Sequence, residues 1–386
     1  MAMIKKEVIC AALLAMLATA GPAEDKAGQG RSDLDLNAMI QPVSASAVFR
    51  DSEYNIWCGS AVKGDDGKYH LFYSRWPKQL GHKAWVTHSE VAHAVADSSF
   101  GPYKHAGVAL PERGSEFWDG LCTHNPTIIR AGGKYYLYYM GNTGDRAAGA
   151  QMNWTYSVDA NTKEISSKDQ KQPLNWTHRN NQRIGVAVAD KPEGPWQRFD
   201  KPVLDVSSDP DAFDALMVSN PSVTGKPDGG FLMVYKGVAK KGKMPFGGPV
   251  YHLVATSDSP TGPFKKYLKP VFGKEGVAFA AEDPYIWSEG GRYLAIVKDN
   301  SGNFTEKGYS LALFESDDGI DWKQAKHVLV TTPEIKWADG RTQKLNAMER
   351  PQLYRENGKP VALFCAGSDN NERVGTFNIQ IPLKAP

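Results

Sequence analysis

The chain has 386 residues, with 45 basic side chains against 43 acidic ones. So small a net charge argues against a broad nucleic-acid surface, leaving room only for a local patch. Hydrophobic residues at 41% and aromatic residues at 11% exclude a disordered chain.

The N-terminus reads as a targeting segment. Lys5 and Lys6 precede an apolar run from Val8 to Ala18, and Ala18-Thr19-Ala20 has the small-x-small form of a cleavage site. The run is short for a membrane span of about 20 residues. The expectation is a signal peptide over 1–20, a flexible leader over 21–42 and a secreted or periplasmic protein. No membrane association is expected. The mature chain would keep Cys58, Cys122 and Cys365, an odd number with no CxxC pair, so a zinc ribbon has no support. Cys58 is read as packing or as a disulfide partner.

From residue 43 onward one unit recurs. It is a short turn, a few strand-like residues, a Gly-rich turn and an aromatic strand. The copies run Trp57–Tyr73, His124–Tyr139, Ser219–Tyr235, Glu282–Val297 and Glu349–Cys365. Anchored at Ser60, Pro126, Pro221, Pro284 and Pro351, each unit ends 13 or 14 residues later. Further strands follow, with Gly101-Pro102-Tyr103, Gly194-Pro195-Trp196, Gly262-Pro263-Phe264 and Asp321-Trp322 at their turns. A polar insertion, Gly144–Asn181, lengthens the second unit. Small and apolar residues alternate with polar ones, and no long helical period is present. The pattern predicts an all-β, five-bladed β-propeller over 43–386, with four antiparallel strands per blade. A strand near Ser44–Phe49 is expected to pair with the last strand and close the ring.

In such a ring the innermost strands bring the residues before each anchor to one mouth. These are Cys58-Gly59, His124-Asn125, Ser219-Asn220, Glu282-Asp283 and Glu349-Arg350. They vary in polarity while the scaffold repeats, as a binding site built on a repeat would. Seven positions before the anchors stand Glu53, Asp119 and Asp214. The second strands add Ser74-Arg75, Lys236, Lys298-Asp299 and Ser368. Trp57, Trp76 and Trp118 are candidate platforms for sugar rings.

Through these units the chain resembles the five-bladed β-propeller glycoside hydrolases, families 43 and 117 among them, as a divergent member. The resemblance implies a glycosidic bond cleaved by carboxylates from different blades. Glu282-Asp283-Pro284 resembles the Glu-x-Pro segment that carries the general acid. Two departures stand out. Cys58-Gly59-Ser60 replaces the first-blade Asp-Pro whose Asp is the base in many members, and Asn220 replaces a third-blade Asp.

The expected catalytic residues are therefore Glu282 as acid, with Asp119 or Asp214 activating water. Trp57, Arg75, Trp118, His124, Asn125, Asn220, Lys236, Asp283, Lys298, Glu349 and Arg350 are expected to bind substrate. The substrate would be an oligo- or polysaccharide attacked from its end. The basic residues suit an anionic sugar. No cofactor is expected; a central structural divalent ion near His124 stays open. The alternatives are a polysaccharide lyase acting on a uronate and a non-catalytic carbohydrate-binding propeller.

Overall fold

The computed structural model describes residues 33–145 and 174–384. The expected signal peptide lies outside the described residues, as does most of the Gly144–Asn181 insertion.

The chain first lays down β1 (Val48–Phe49). Blade 1 follows as β2 (Tyr54–Lys63), β3 (Tyr69–Pro77), β4 (Glu90–Ala96) and β5 (Lys104–Leu110). Blade 2 is β6 (Cys122–Ala131), β7 (Lys134–Asn142), β8 (Arg183–Ala189) and β9 (Gln197–Arg198). Blade 3 is β10 (Met217–Gly225), β11 (Phe231–Val238), β12 (Val250–Ser257) and β13 (Lys265–Val271). Blade 4 is β14 (Ala281–Glu289), β15 (Arg292–Asp299), β16 (Ser310–Ser316) and β17 (Lys323–Thr331). A small hairpin, β18 (Glu334–Lys336) with β19 (Thr342–Lys344), precedes blade 5. Blade 5 is β20 (Ala347–Glu356), β21 (Lys359–Ser368) and β22 (Phe377–Pro382), completed by β1. Every pairing within a blade is antiparallel.

The innermost strands close a circle, with β2 against β6, β6 against β10, β10 against β14, β14 against β20 and β20 against β2. The seams between blades are the core. Strand side chains alternate between two faces, and here both faces are buried. In β3, Leu71 and Tyr73 pack toward blade 5, whereas Phe72 between them packs toward blade 2. Five apolar clusters fill the five seams in this way. The turns after the third strands need left-handed backbone, and Gly101, Gly194 and Gly262 supply it at φ 82°, 92° and 82°.

Ring closure is as expected, with Val48 opposite Ile379 and Phe49 opposite Asn378. Of the stretch 21–42 expected as a flexible leader, the described part from residue 35 is anchored to the ring. Asp35 caps a short helix, Leu36–Met39, whose Leu36 and Met39 are buried in the seam between blades 4 and 5. Gln41 N–H then bonds Pro382 O, and Val43 N–H bonds Lys336 O.

Candidate active site

Each innermost strand carries a β-bulge at the same place. The register shifts between Trp57 and Ser60, His124 and Thr127, Ser219 and Ser222, Glu282 and Tyr285, and Glu349 and Gln352. Within each bulge one residue adopts positive φ: Cys58, Asn125, Asn220, Asp283 and Arg350, all between 49° and 56°. Asn and Asp tolerate this conformation, while Cys and Arg hold it against about 1–2 kcal/mol of strain. The bulges correct the first-blade alignment by one residue. Gly59, not Ser60, matches the prolines, so Trp57 is the counterpart of His124, Ser219, Glu282 and Glu349.

The five bulge residues form a buried chain of side chains. Cys58 Sγ donates to Asn125 Oδ1 at 2.6 Å, and Asn125 Nδ2 donates to Asn220 Oδ1 at 2.6 Å. Asn220 Nδ2 donates to Asp283 Oδ1 at 2.9 Å, which also accepts from Arg350 Nη1 at 3.1 Å. Arg350 in turn neighbours Cys58. Asn125, Asn220, Asp283 and Arg350, expected to bind substrate, are thus bonded to one another and nearly inaccessible. Burial, offset only in part by Arg350, raises the Asp283 carboxyl. Burial likewise pushes the Cys58 thiol up. Cys58 is a free thiol that packs and bonds Asn125 without forming a disulfide.

The preceding residues carry the reactive chemistry. Glu282 Oε1 accepts from Lys236 Nζ at 2.9 Å, and its Oε2 from Lys298 Nζ at 3.0 Å. Lys298 also reaches Glu349 Oε1 at 3.1 Å, and Arg373 Nη2 donates to the same oxygen at 2.8 Å. One carboxylate oxygen each from Glu282, Asp283 and Glu349 lies within 4.8 Å of the others. The sheet register explains the convergence, since Lys298 is the cross-strand partner of Glu282, and Lys236 that of Ser219. Burial pushes the Glu282 carboxyl up, but the Lys236 and Lys298 ammonium groups outweigh it and hold it well below the ordinary carboxylate range. Burial and the opposing pull of Arg373 and Lys298 leave Glu349 lowered as well. Lys298, despite its burial, is raised by Glu349 and Glu282.

Three buried histidines surround this cluster in neutral form. His124 Nδ1 bonds Ser89 Oγ at 2.7 Å, and its ring stacks on Trp85 with centroids 5.0 Å apart. Burial and the neighbouring Arg350 hold it well below its ordinary value. Burial, with Arg373, lowers His82 to about 3, and burial, with Lys236, lowers His252 to about 3. Among the described residues, the acidic oxygens that converge belong to Glu282, Asp283 and Glu349.

Several expected site residues sit elsewhere. Asp119 is wholly buried, accepting from Arg113 Nε at 2.7 Å and Tyr139 Oη at 2.6 Å. Asp214 repeats the arrangement in blade 3, with Tyr235 Oη at 3.0 Å and Lys266 Nζ at 2.7 Å. Both carboxylates clamp a loop onto a strand and are wholly buried, away from the mouth. Glu53 is exposed on the surface before β2. Arg75 pairs with Glu90 at 2.8 Å and His105 at 3.1 Å. Trp118 stacks on Tyr139 and bonds Phe199 O beside the Asp119 clamp. Trp76 is wholly buried. Trp57 is at the mouth but buried, edge-on to His82 and 5.9 Å from the Arg373 guanidinium.

Sequence reasoning missed Arg373, His82, His252, Arg179 and Tyr309. Of these, His252 carried a signal, being the cross-strand partner of Lys236. Tyr309 is 52% exposed and stands 5.4 Å from Lys298 Nζ. Asp299 organises its loop by accepting from the N–H groups of Asn303, Phe304 and Thr305. The tail of the insertion forms a helix, Trp176–Asn180, whose Arg179 donates to Phe246 O at 2.6 Å. Burial brings Arg179 down to about 10, with Glu282 opposing.

Known proteins share this architecture. Among solved structures, one described as a glycoside hydrolase matches with a TM-score of 0.60 at 15% identity, covering 91% of this chain and 92% of that one. The family 117 glycoside hydrolase Zg3597 of Zobellia galactanivorans gives 0.56 at 15% identity, covering 89% of each chain. A thermostable family-43 glycoside hydrolase gives 0.54 at 14% identity, covering 90% and 96%. At such identities these likenesses speak for the fold. No curated protein matches in sequence. Residues 120–376, from the approach to β6 to the threshold of β22, match the family model for the N-terminal domain of glycosyl hydrolases family 32. That stretch is well over half of the chain, and the chain belongs to this glycosyl hydrolase family.

Proposed function

We propose that the protein is an exported glycosidase that releases sugar units from the end of an anionic oligosaccharide, with Glu282 and Glu349 as its catalytic pair. The observation that carries this reading is the meeting of two glutamates from neighbouring blades on one lysine, at the equivalent bulge of each strand. Glycoside hydrolysis needs one carboxyl to protonate the leaving oxygen and another to attack or to activate water. Two ammonium contacts keep Glu282 ionised, which suits attack. Glu349, the other glutamate at an equivalent bulge, is then left as the proton donor. This exchanges the role expected for Glu282 from sequence. Oxygens within 4.8 Å favour the close spacing of a retaining enzyme, about 5–5.5 Å between carboxyls, over the about 6.5–9.5 Å of an inverting one.

Charge supports an anionic substrate. With Asp283 paired to Arg350, the cations Lys236, Lys298, Arg373 and Arg179 outnumber Glu282 and Glu349. Action at a chain end is supported by the crowding of one side of the mouth, where Trp85, Trp176 and Phe246 pack together. Tyr309 offers an exposed aromatic face for a sugar ring. Export rests on the sequence of residues 1–20, and N-terminal sequencing of secreted protein would check it.

Neutral and uronate-bearing oligosaccharides, with matching aryl glycosides, form the test panel. Glu282→Ala should lose at least about 10³-fold in kcat and regain turnover with azide, yielding a glycosyl azide. Glu349→Gln should retain most of its kcat/KM on aryl glycosides with good leaving groups, with kcat limited by slowed hydrolysis of the glycosyl-enzyme, and lose activity on natural linkages. Binding without turnover by the wild type would instead establish a binding module, and products with unsaturated-uronate absorbance a lyase.

A further inference from the structure

A second group of ligand-type side chains lies far from the mouth. Asp66 is in the turn between β2 and β3, His70 is in β3, and Glu193 is in the turn after β8. These turns close the hairpins at the end remote from Trp57 and Ser74, which places the group across the seam of blades 1 and 2. Strand alternation points His70, like Phe72, toward blade 2.

His70 Nε2 stands 3.2 Å from Asp66 Oδ1 and 3.7 Å from Glu193 Oε1, and the three atoms lie within 4.8 Å of one another. Zinc–ligand bonds of 2.0–2.2 Å in a tetrahedron give ligand separations of about 3.4 Å, which these distances bracket. On the other side of the ring, His70 Nδ1 meets His93 Nε2 at 2.9 Å, and the two imidazoles stack with centroids 5.1 Å apart. A proton on Nδ1, donated to His93, leaves Nε2 with a lone pair directed at two carboxylates. Ligating histidines are commonly oriented by such a partner.

Gly64 adds an independent observation. Its backbone is not left-handed, so conformation does not demand glycine there. A Cβ at this position would stand 2.5 Å from Asp66 Oδ1 and 2.7 Å from His70 Nε2. Any side chain here would collide with both donors, so glycine is what lets Asp66 and His70 take up this arrangement. His70 is buried, whereas Asp66 and Glu193 have side chains 39% and 50% exposed, so the group opens to solvent on its carboxylate side.

We infer that Asp66, His70 and Glu193 bind a zinc-type divalent ion that clips the turns of blades 1 and 2 together, with solvent in the remaining position. One imidazole with two carboxylates suits zinc, whereas calcium needs six or more oxygens. An ion held only by the folded chain raises its stability by mass action.

The test is calorimetric titration of the tag-free, full-length protein with zinc chloride and, separately, calcium chloride. Wild type should bind one zinc per chain and melt several degrees higher with zinc than with chelator. Glu193→Gln should weaken zinc at least tenfold, while melting like wild type in chelator and keeping glycosidase turnover. Gly64→Ala should weaken zinc similarly by displacing the Asp66 and His70 donor atoms. An absence of zinc binding, an affinity unchanged in both variants, or equal stabilisation by calcium would overturn the inference.

Discussion

Lys298 touches both glutamates, so its loss separates charge tuning from bond making. In Lys298→Met the burial of Glu282 is no longer opposed by that ammonium, and its carboxyl should rise. If Glu282 must be ionised to attack, the acidic limb of kcat/KM against pH moves to higher pH. KM for a uronate substrate should also rise, while a neutral one changes little. An unchanged acidic limb would remove Glu282 from the attacking role. At this scale the sequence was partly legible. Glu282, Glu349, Lys236 and Lys298 stood at repeat positions and meet in space. Arg373, Tyr309 and Arg179 come from turns, loops and the insertion, where no repeat spacing marks them. The charge state of Glu282 was hidden as well, because its lysines arrive through strand register.

At the scale of elements, the bulge explains most of what the repeat pattern concealed. A bulge puts two residues opposite one, so a side chain shifts face without any change in local composition. Proline marks that position in blades 2 to 5, but blade 1 has Gly59, and the register there slipped by one. The ring of bulge residues should be structural. Asn220→Ala removes the partner of both Asn125 and Asp283 and places alanine at φ 51°. A loss of about 2–3 kcal/mol is expected from guanidinium unfolding. Asp119 and Asp214 looked catalytic because they recur at a fixed distance from the anchors. The recurrence is real, but it serves the Asp–Tyr clamps. Asp119→Asn should therefore cost about 3 kcal/mol of stability, by breaking its buried pair with Arg113, and leave KM unchanged. A fall in kcat without a fall in melting temperature would restore Asp119 to the chemistry.

For the whole molecule, the blade count was legible because turn chemistry and alternation are local and repeat five times. The anchoring of Leu36–Val43 was not, because a short segment packed into a seam has no period of its own. The buried histidines add a global property. His82, His124 and His252 have folded-state pKa values below the unfolded value of about 6.5. Below that pH the unfolded chain takes up protons that the native state refuses, so stability falls with pH. The slope approaches about 1.4 kcal/mol per pH unit for each histidine, and for His82 and His252 it persists toward pH 3. Glu282 and Glu349, with depressed values, add a loss only below about pH 4.3, the unfolded glutamate value. Unfolding midpoints between pH 7.5 and 5 should therefore drop, and less steeply in His252→Phe. Parallel profiles for the two proteins would contradict this account.

The pairing of β1 with β22 has a temporal side. A ribosome delivers Val48 more than three hundred residues before Ile379, and until both are present blade 5 lacks its outermost strand. Blades 1 to 4 can form in order of synthesis, each leaning on its predecessor, while the earliest segment waits beside an open arc. The nascent protein thus passes a long interval with one adhesive edge at each end. Neighbouring chains on one message would be drawn to exchange these ends, so slowing synthesis after blade 4 should increase swapped dimers rather than relieve misfolding.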